Sequence, residues 1–234
     1  MRLRISAAFF VKRLLNSVSE TADLVGENLA CRRGERLVFA GLDCRLPPGG
    51  ALVLTGSNGS GKSSLLRLLA GLLVPAAGRL SWAGVQVTAD PARYRAAIHY
   101  VGHLDGVKPA LTPREMLLFW AAARDITRPA IDAALATFGI ESAADWSCRW
   151  LSAGQRRRLA LARLVAAPAP IWLLDEPGAA LDGDGDDRLA AAIAAHRAMG
   201  GRIAVATHQP IAIVGAMTLA LDAFTATSDD PLAV

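Results

Sequence analysis

Apolar residues in this chain fall into short blocks that stop at glycine, aspartate or histidine. Between the blocks they recur every three or four positions, so the two periods alternate along the chain. Blocks of that kind predict buried parallel strands, and the three-to-four spacing predicts helices packed between them. Residues 51–56 (ALVLTG) read as a strand ending in glycine, and residues 62–73 (KSSLLRLLAGLL) as a helix. Residues 78–87 alternate as a strand with a turn, and 96–102 (AAIHYVG) read as a further strand. A helical region follows over about 112–166. It is announced by TPRE, in which Thr112 can cap, Pro113 suits the first helical position and Glu115 completes a capping box. Strands are then expected at 170–177 (PIWLLDEP), 202–210 (RIAVATHQP) and 217–224 (MTLALDAF). The alanine-rich stretches 121–136 and 189–198 read as helix. The pattern is α/β, and no internal repeat interrupts it.

The first strand–helix junction carries the most specific chemistry. GSNGSGKSS satisfies G-x-x-x-x-G-K-[ST], with Gly56, Gly61, Lys62 and Ser63 in place. Its glycines let backbone N–H groups turn inward around phosphate oxygens, and the helix beginning near Lys62 adds its positive end. Residues Gly56, Ser57, Asn58, Gly59, Ser60, Gly61, Lys62, Ser63 and Ser64 are therefore the expected phosphate cradle. Lys62 is placed for the β- and γ-phosphates and the Ser63 hydroxyl for Mg²⁺. Asp175 and Glu176 end an apolar strand. Beside a phosphate cradle, Asp175 suits holding Mg²⁺ through water and Glu176 suits deprotonating an attacking water.

LSAGQRRRLALARL is the most discriminating stretch. Ser152 and Gln155 form an S-x-x-Q cap, Ala153 and Gly154 keep the start of the helix uncrowded, and a second anion site is expected there. This stretch resembles the signature of the ATP-binding-cassette family, which reads LSGGQ, and the likeness extends over roughly residues 24–224. The resemblance implies a P-loop NTPase fold. It has a RecA-like core (21–104 and 167–225), an antiparallel β subdomain and an inserted helical signature subdomain (about 105–166). It implies ATP and Mg²⁺ as cofactors. It also implies a homodimer in the ATP-bound state, each nucleotide lying between one copy's P-loop and the other's signature. Asp182 then matches the aspartate that crosses the dimer interface, and His208 the histidine that meets the γ-phosphate. Where the family stacks an aromatic side chain on adenine, this chain places Arg33, a guanidinium that can also stack on a base.

One position points to a subgroup. Where cassettes carry a glutamine that touches Mg²⁺ and water, this chain has His103, whose imidazole can accept with one nitrogen and donate with the other. With LSAGQ and THQP, this resembles the ATP-binding subunits of cytochrome c maturation haem exporters. That resemblance implies ATP-driven haem export, or release of a haem-loaded chaperone, for c-type cytochrome biogenesis. It implies a multi-spanning permease partner (CcmB-like) and further cytochrome c maturation membrane proteins. The location implied is peripheral, on the cytoplasmic face of the bacterial inner membrane, with the mitochondrial inner membrane as alternative. A cassette for a lipid, drug or lipoprotein transporter is the competing reading, and a soluble non-transport cassette ATPase a more distant one.

Composition narrows the picture. At 234 residues and 53% hydrophobic, the chain can bury one large domain. Of its formal charge of +4, residues 1–20 contribute +3, so the remainder is nearly neutral and no nucleic-acid-binding face is expected. Of Arg156, Arg157 and Arg158, one is what the cassette resemblance implies after the signature and the others are expected on a solvated helix face, rather than as a nucleic-acid patch. Cys31, Cys44 and Cys148 fit no metal or disulfide pattern and are expected as reduced thiols. Residues 1–20 read as a disordered basic extension, with a presequence, a membrane-surface helix or a start codon set too far upstream as alternatives. Residues 226–234 read as a polar tail. No apolar run is long enough to span a bilayer, residues 211–221 being too short.

Overall fold

The computed structural model describes residues 23–208, 211 and 213–225. The expected N-terminal extension, the tail after Thr225, and Gln209 and Pro210 lie outside the described residues. Two sheets are formed. The antiparallel one contains β1 (Leu24–Arg33), β2 (Arg36–Leu46), β4 (Ala77–Trp82) and β5 (Val85–Gln86), in the order β2-β1-β4-β5. The parallel one contains β3 (Ala51–Thr55), β6 (Ile98–Val101), β7 (Ile171–Asp175), β8 (Arg202–Ala206) and β9 (Met217–Ala220), in the order β6-β7-β8-β3-β9.

Strands β7 and β8 are buried at every position, as expected of central parallel strands covered on both faces. Their side chains alternate between two cores. Ile171, Leu173, Ala204 and Ala206 join Leu52, Leu54 and the antiparallel sheet in one. Trp172, Leu174, Ile203 and Val205 join the helices that follow β6 in the other. Helix α1 (Lys62–Leu69) packs Leu65, Leu66, Leu68 and Leu69 into the first core, each such burial worth about 2 kcal/mol. The helix stops four residues short of the sequence expectation. Gly71 takes φ +65°, and the amides of Gly71 and Leu72 turn back onto Leu68 and Arg67, closing the last turn.

Between β6 and β7 lie α3 (Pro113–Ala122), α4 (Ile131–Thr137) and α5 (Ala153–Ala166), after the short α2 (Pro91–Ala96) that leads into β6. Thr112 and Glu115 form the capping box on α3, with Pro113 at its first position. The alanine-rich stretch 121–136 is not one helix. It breaks after Ala122, where Asp125 takes a left-handed φ of 55°, and resumes at Ile131. Helix α6 (Gly183–Ala198) runs from the loop after β7 back to β8. The three cysteines are free, Cys31 and Cys148 buried and Cys44 partly so.

A stacked pair makes stability depend on pH. The rings of His196 and Trp172 lie 3.9 Å apart at 6°, and burial pushes the imidazole down to about 4. Burial lowers His99 in the same direction. A depressed histidine stabilises the fold fully above its unfolded value near 6.5, and the contribution is lost as pH falls from there to about 4. For His196 this amounts to about 3 kcal/mol. The melting temperature is therefore expected to drop by several degrees between pH 7 and pH 5, and His196→Phe, which keeps a ring on Trp172, to flatten that slope. An unchanged slope in the variant overturns the assignment.

Candidate functional site

In an all-parallel sheet the strand ends point one way, and the loops after β3, β6, β7 and β8 open on one edge. They surround a cavity of about 630 Å³. Of the residues expected at a nucleotide site, Arg33, Asn58, Gly59, Gly61, Lys62, Ser63, Ser64, His103, Asp175, Glu176 and His208 line it. Ser57 and Ser60 lie in the same loop without lining the cavity, and Ser60 is buried with its hydroxyl unpartnered.

The loop conformation requires its glycines. Gly61 takes φ +106° and caps α1, and a methyl there would sit 2.8 Å from Val38 and 2.9 Å from Phe39. No side chain caps α1, so its first amides remain available to an anion. Lys62 is buried along its stem and donates to the Gly56 and Ser57 carbonyls at 2.7 and 2.9 Å. Its ammonium is thus held over the loop, where phosphate oxygens could accept from it.

Two side chains meet at the foot of α1. The Ser63 hydroxyl donates to Asp175 Oδ1 at 2.9 Å, and Tyr100 donates to Asp175 Oδ2 at 3.4 Å. Asp175 is buried at the end of β7. The next residue, Glu176, turns the chain with φ 49°, a left-handed conformation that costs a non-glycine residue about 1–2 kcal/mol. That turn swings its carboxylate toward β8. Glu176 Oε2 accepts from the His208 amide at 3.2 Å, and Oε1 lies 3.4 Å from His208 Nε2. His103 is exposed on the cavity wall after β6.

Ser152, Gly154, Gln155 and Asp182 line a second cavity, of about 540 Å³, with Gly139, Arg158 and Ala180, while Gly56 and Ala153 line neither. Ser152 caps α5 by accepting from the Gln155 amide at 3.1 Å, and the Gln155 side chain accepts from the Ser152 amide at 2.9 Å. The capping box predicted from S-x-x-Q is present, but it already engages the hydroxyl and the third amide of the helix. Asp182 caps α6 through the Gly185 amide at 2.9 Å and pairs with Arg158; these contacts hold its carboxyl below the usual range. In the single chain, then, the signature residues and Asp182 share one site and the P-loop residues another.

The three arginines after the signature do not form a solvated face. Arg157 is 2% exposed, Arg158 pairs with Asp182 and Asp184, and Arg156 donates to the Leu151 carbonyl. The solvated face expected for two of them is not found because α5 lies between the sheet edge and the other helices, so three consecutive positions meet three different neighbours.

Several site residues escaped the sequence. Arg36 stands opposite Arg33 across the two-residue turn joining β1 and β2, and both guanidinium-bearing residues line the cavity with Val38. Arg67 also lines it, and its Nε lies 3.4 Å from the Tyr100 hydroxyl. Asp222, after β9, accepts from the Ser57 amide at 3.1 Å and from its hydroxyl at 2.7 Å, and these bonds lower its carboxyl. No local pattern marks these positions, since each is a single polar residue brought in from a distant element.

The sequence model of the ABC transporter family matches residues 39–179. The chain belongs to the ABC transporter family. It is thus an ATP-hydrolysing cassette, as its loop and carboxylates led us to expect. Among relatives, the cytochrome c biogenesis ATP-binding export protein CcmA of Rhodospirillum rubrum is 57% identical over 203 residues, 87% of each chain. Solved cassettes share the fold. A putative ABC transporter ATP-binding protein from Pyrococcus furiosus superposes with a TM-score of 0.77 at 20% identity, covering 87% of this chain and all of that one. The dimeric structure of a bacterial ABC transporter cassette gives 0.69 at 24% identity, covering 80% and 88%. The P-loop NTPase cassette fold expected from the signature is the fold observed. No helix among the described residues is long and apolar enough to cross a membrane.

Proposed function

We propose that this cassette is the ATP-hydrolysing subunit of an exporter that moves haem, or releases a haem-loaded chaperone, for c-type cytochrome biogenesis. The carrying observation is the cavity in which Lys62, Ser63, Asp175, Glu176 and His208 converge from three strand ends, in a chain 57% identical to a cytochrome c biogenesis export protein. A lipid, drug or lipoprotein transporter has no comparable support.

In this reading the amides of the loop and the Lys62 ammonium bind the ATP phosphates. The site fits Mg²⁺: Ser63 and Asp175 are already within 2.9 Å of each other, and no cluster of three or more acidic, histidine or cysteine ligands exists among the described residues. Mg²⁺ typically takes one or two protein groups and completes its shell with phosphate and water. When bound it would neutralise charge on the β- and γ-phosphates. His103, exposed on the wall of the same cavity, would act on that metal's water shell. Glu176 accepts a proton from water as the water oxygen bonds to the γ-phosphorus, and the bond to the bridging oxygen breaks with its electron pair leaving on ADP. His208, which contacts the Glu176 carboxylate through its amide and ring, meets the γ-phosphate. Arg33, with Arg36, stacks on the adenine.

The signature cavity lies apart from the P-loop cavity, which supports two copies arranged head to tail, Ser152, Ala153, Gly154, Gln155 and Asp182 of one closing on the nucleotide of the other. Ser152→Arg is expected to retain ATP binding by the single chain and lose ATP-driven dimerisation and turnover. Dimer formation at wild-type ATP concentration, followed by size-exclusion chromatography, would sink this arrangement. A CcmB-like permease and further cytochrome c maturation membrane proteins are the proposed partners, at the cytoplasmic face of the bacterial inner membrane.

Deleting the gene in its host tests the transport reading. Haem-stained c-type cytochromes should disappear and return with the wild-type gene. Normal haem-stained bands in the deletion strain exclude it.

A further inference from the structure

We propose that Arg157 is a positioning residue for ATP hydrolysis, holding Glu176 and the loop that carries His103 in register with the signature helix. Its guanidinium reaches five acceptors from inside the protein. Nε donates to the Pro177 carbonyl at 3.1 Å, and Nη2 to the carbonyls of Asp175 and Glu176 at 2.9 and 2.7 Å. Nη1 donates to the Gly102 carbonyl at 2.9 Å and to Asp105 Oδ1 at 3.1 Å. Arginine has five N–H donors in a planar fork, and this arrangement occupies the whole fork.

The acceptors belong to two loops that share no covalent connection nearby. Asp175, Glu176 and Pro177 follow β7 and include the left-handed turn at Glu176. Gly102 and Asp105 bracket His103 after β6. Arg157 itself stands in α5, one turn past the capping box of Ser152 and Gln155. One side chain therefore ties together the signature end of α5, the turn that aims Glu176, and the segment holding His103. Four of its five partners are main-chain carbonyls, so it fixes backbone, and through backbone the direction of the Glu176 carboxylate. Water cannot replace it readily, because Arg157 as a whole is 2% exposed. A nucleotide pressing on the signature end of α5 would thus be felt at Glu176.

This rests on the reading of Glu176 as the base, and the experiment separates the two. The full-length chain, purified with the membrane subunits that accompany it, is compared as parent, Glu176→Gln, Arg157→Met and Arg157→Lys. ATP turnover and the dissociation constant of a fluorescent ATP analogue are measured for each. Arg157→Met, of similar length but without donors, is expected to lose about 100-fold in kcat with the dissociation constant changed less than threefold. Arg157→Lys, which keeps the charge and can serve some of the acceptors, should recover about tenfold of that loss. If the methionine variant does not fold, the lysine variant decides, with a tenfold loss in kcat at unchanged affinity. Parental kcat in the variants, or a loss of affinity that parallels kcat, overturns the positioning role. Parental turnover by Glu176→Gln instead overturns the base assignment, whatever the arginine variants do.

Discussion

Glu176→Gln is expected to bind ATP normally, hydrolyse it at least 100-fold more slowly and accumulate as a nucleotide-bound dimer. The amide is nearly isosteric with the carboxylate, so the two contacts to His208 change little in shape. What it loses is the ability to accept a proton, and a positioned general base contributes typically 10²–10⁴-fold. The loop keeps its own bonds, because Lys62 donates to Gly56 and Ser57 and Ser63 donates to Asp175. Binding energy that closes two copies is then no longer discharged by hydrolysis. Turnover measured by phosphate release, beside chromatography with ATP, gives both arms. A variant that turns over at the parental rate removes Glu176 from the base role and returns the question to Asp175 or His208.

Lys62→Ala should weaken capture of the nucleotide. The ammonium now bridges two carbonyls of its own loop, at 2.7 and 2.9 Å, and would exchange them for phosphate oxygens on binding. Hydrogen bonds to charged groups are worth about 1.5–3 kcal/mol, so ATP affinity should fall about 10- to 100-fold. The truncation also leaves the Gly56 and Ser57 carbonyls without their donor, loosening the loop that presents the amides. In the host, this variant should fail to restore haem-stained c-type cytochromes to the deletion strain, although the chain is produced at normal level. Restored bands would mean that export does not depend on nucleotide held by this lysine, and the proposed function would fall.

The two variants separate capture from chemistry. Lys62→Ala lowers binding and hydrolysis together, and Glu176→Gln lowers hydrolysis alone. Their opposite effects on dimer accumulation distinguish them even where the resting ATPase rate is low.

The sequence by itself determined the strand–helix alternation, the two capping boxes and the phosphate loop, because each depends on residues within a few positions of one another. Glycines at 56 and 61 and the caps at Thr112 and Ser152 are local necessities of a turn or a helix start, and a local pattern reveals them. The same holds for Asp175, Glu176 and His208 as polar ends of apolar strands, once the order of the motifs pointed to a cassette. Only the tertiary structure decided which of these ends meet. Parallel pairing of β3, β6, β7, β8 and β9 turns them all toward one edge and separates that cavity from the one at Ser152 and Asp182. It also decided which of three adjacent arginines is buried, and that one is Arg157. A guanidinium buries only when distant carbonyls converge on it, and that convergence is a property of the packed sheet and helix rather than of any short run of residues.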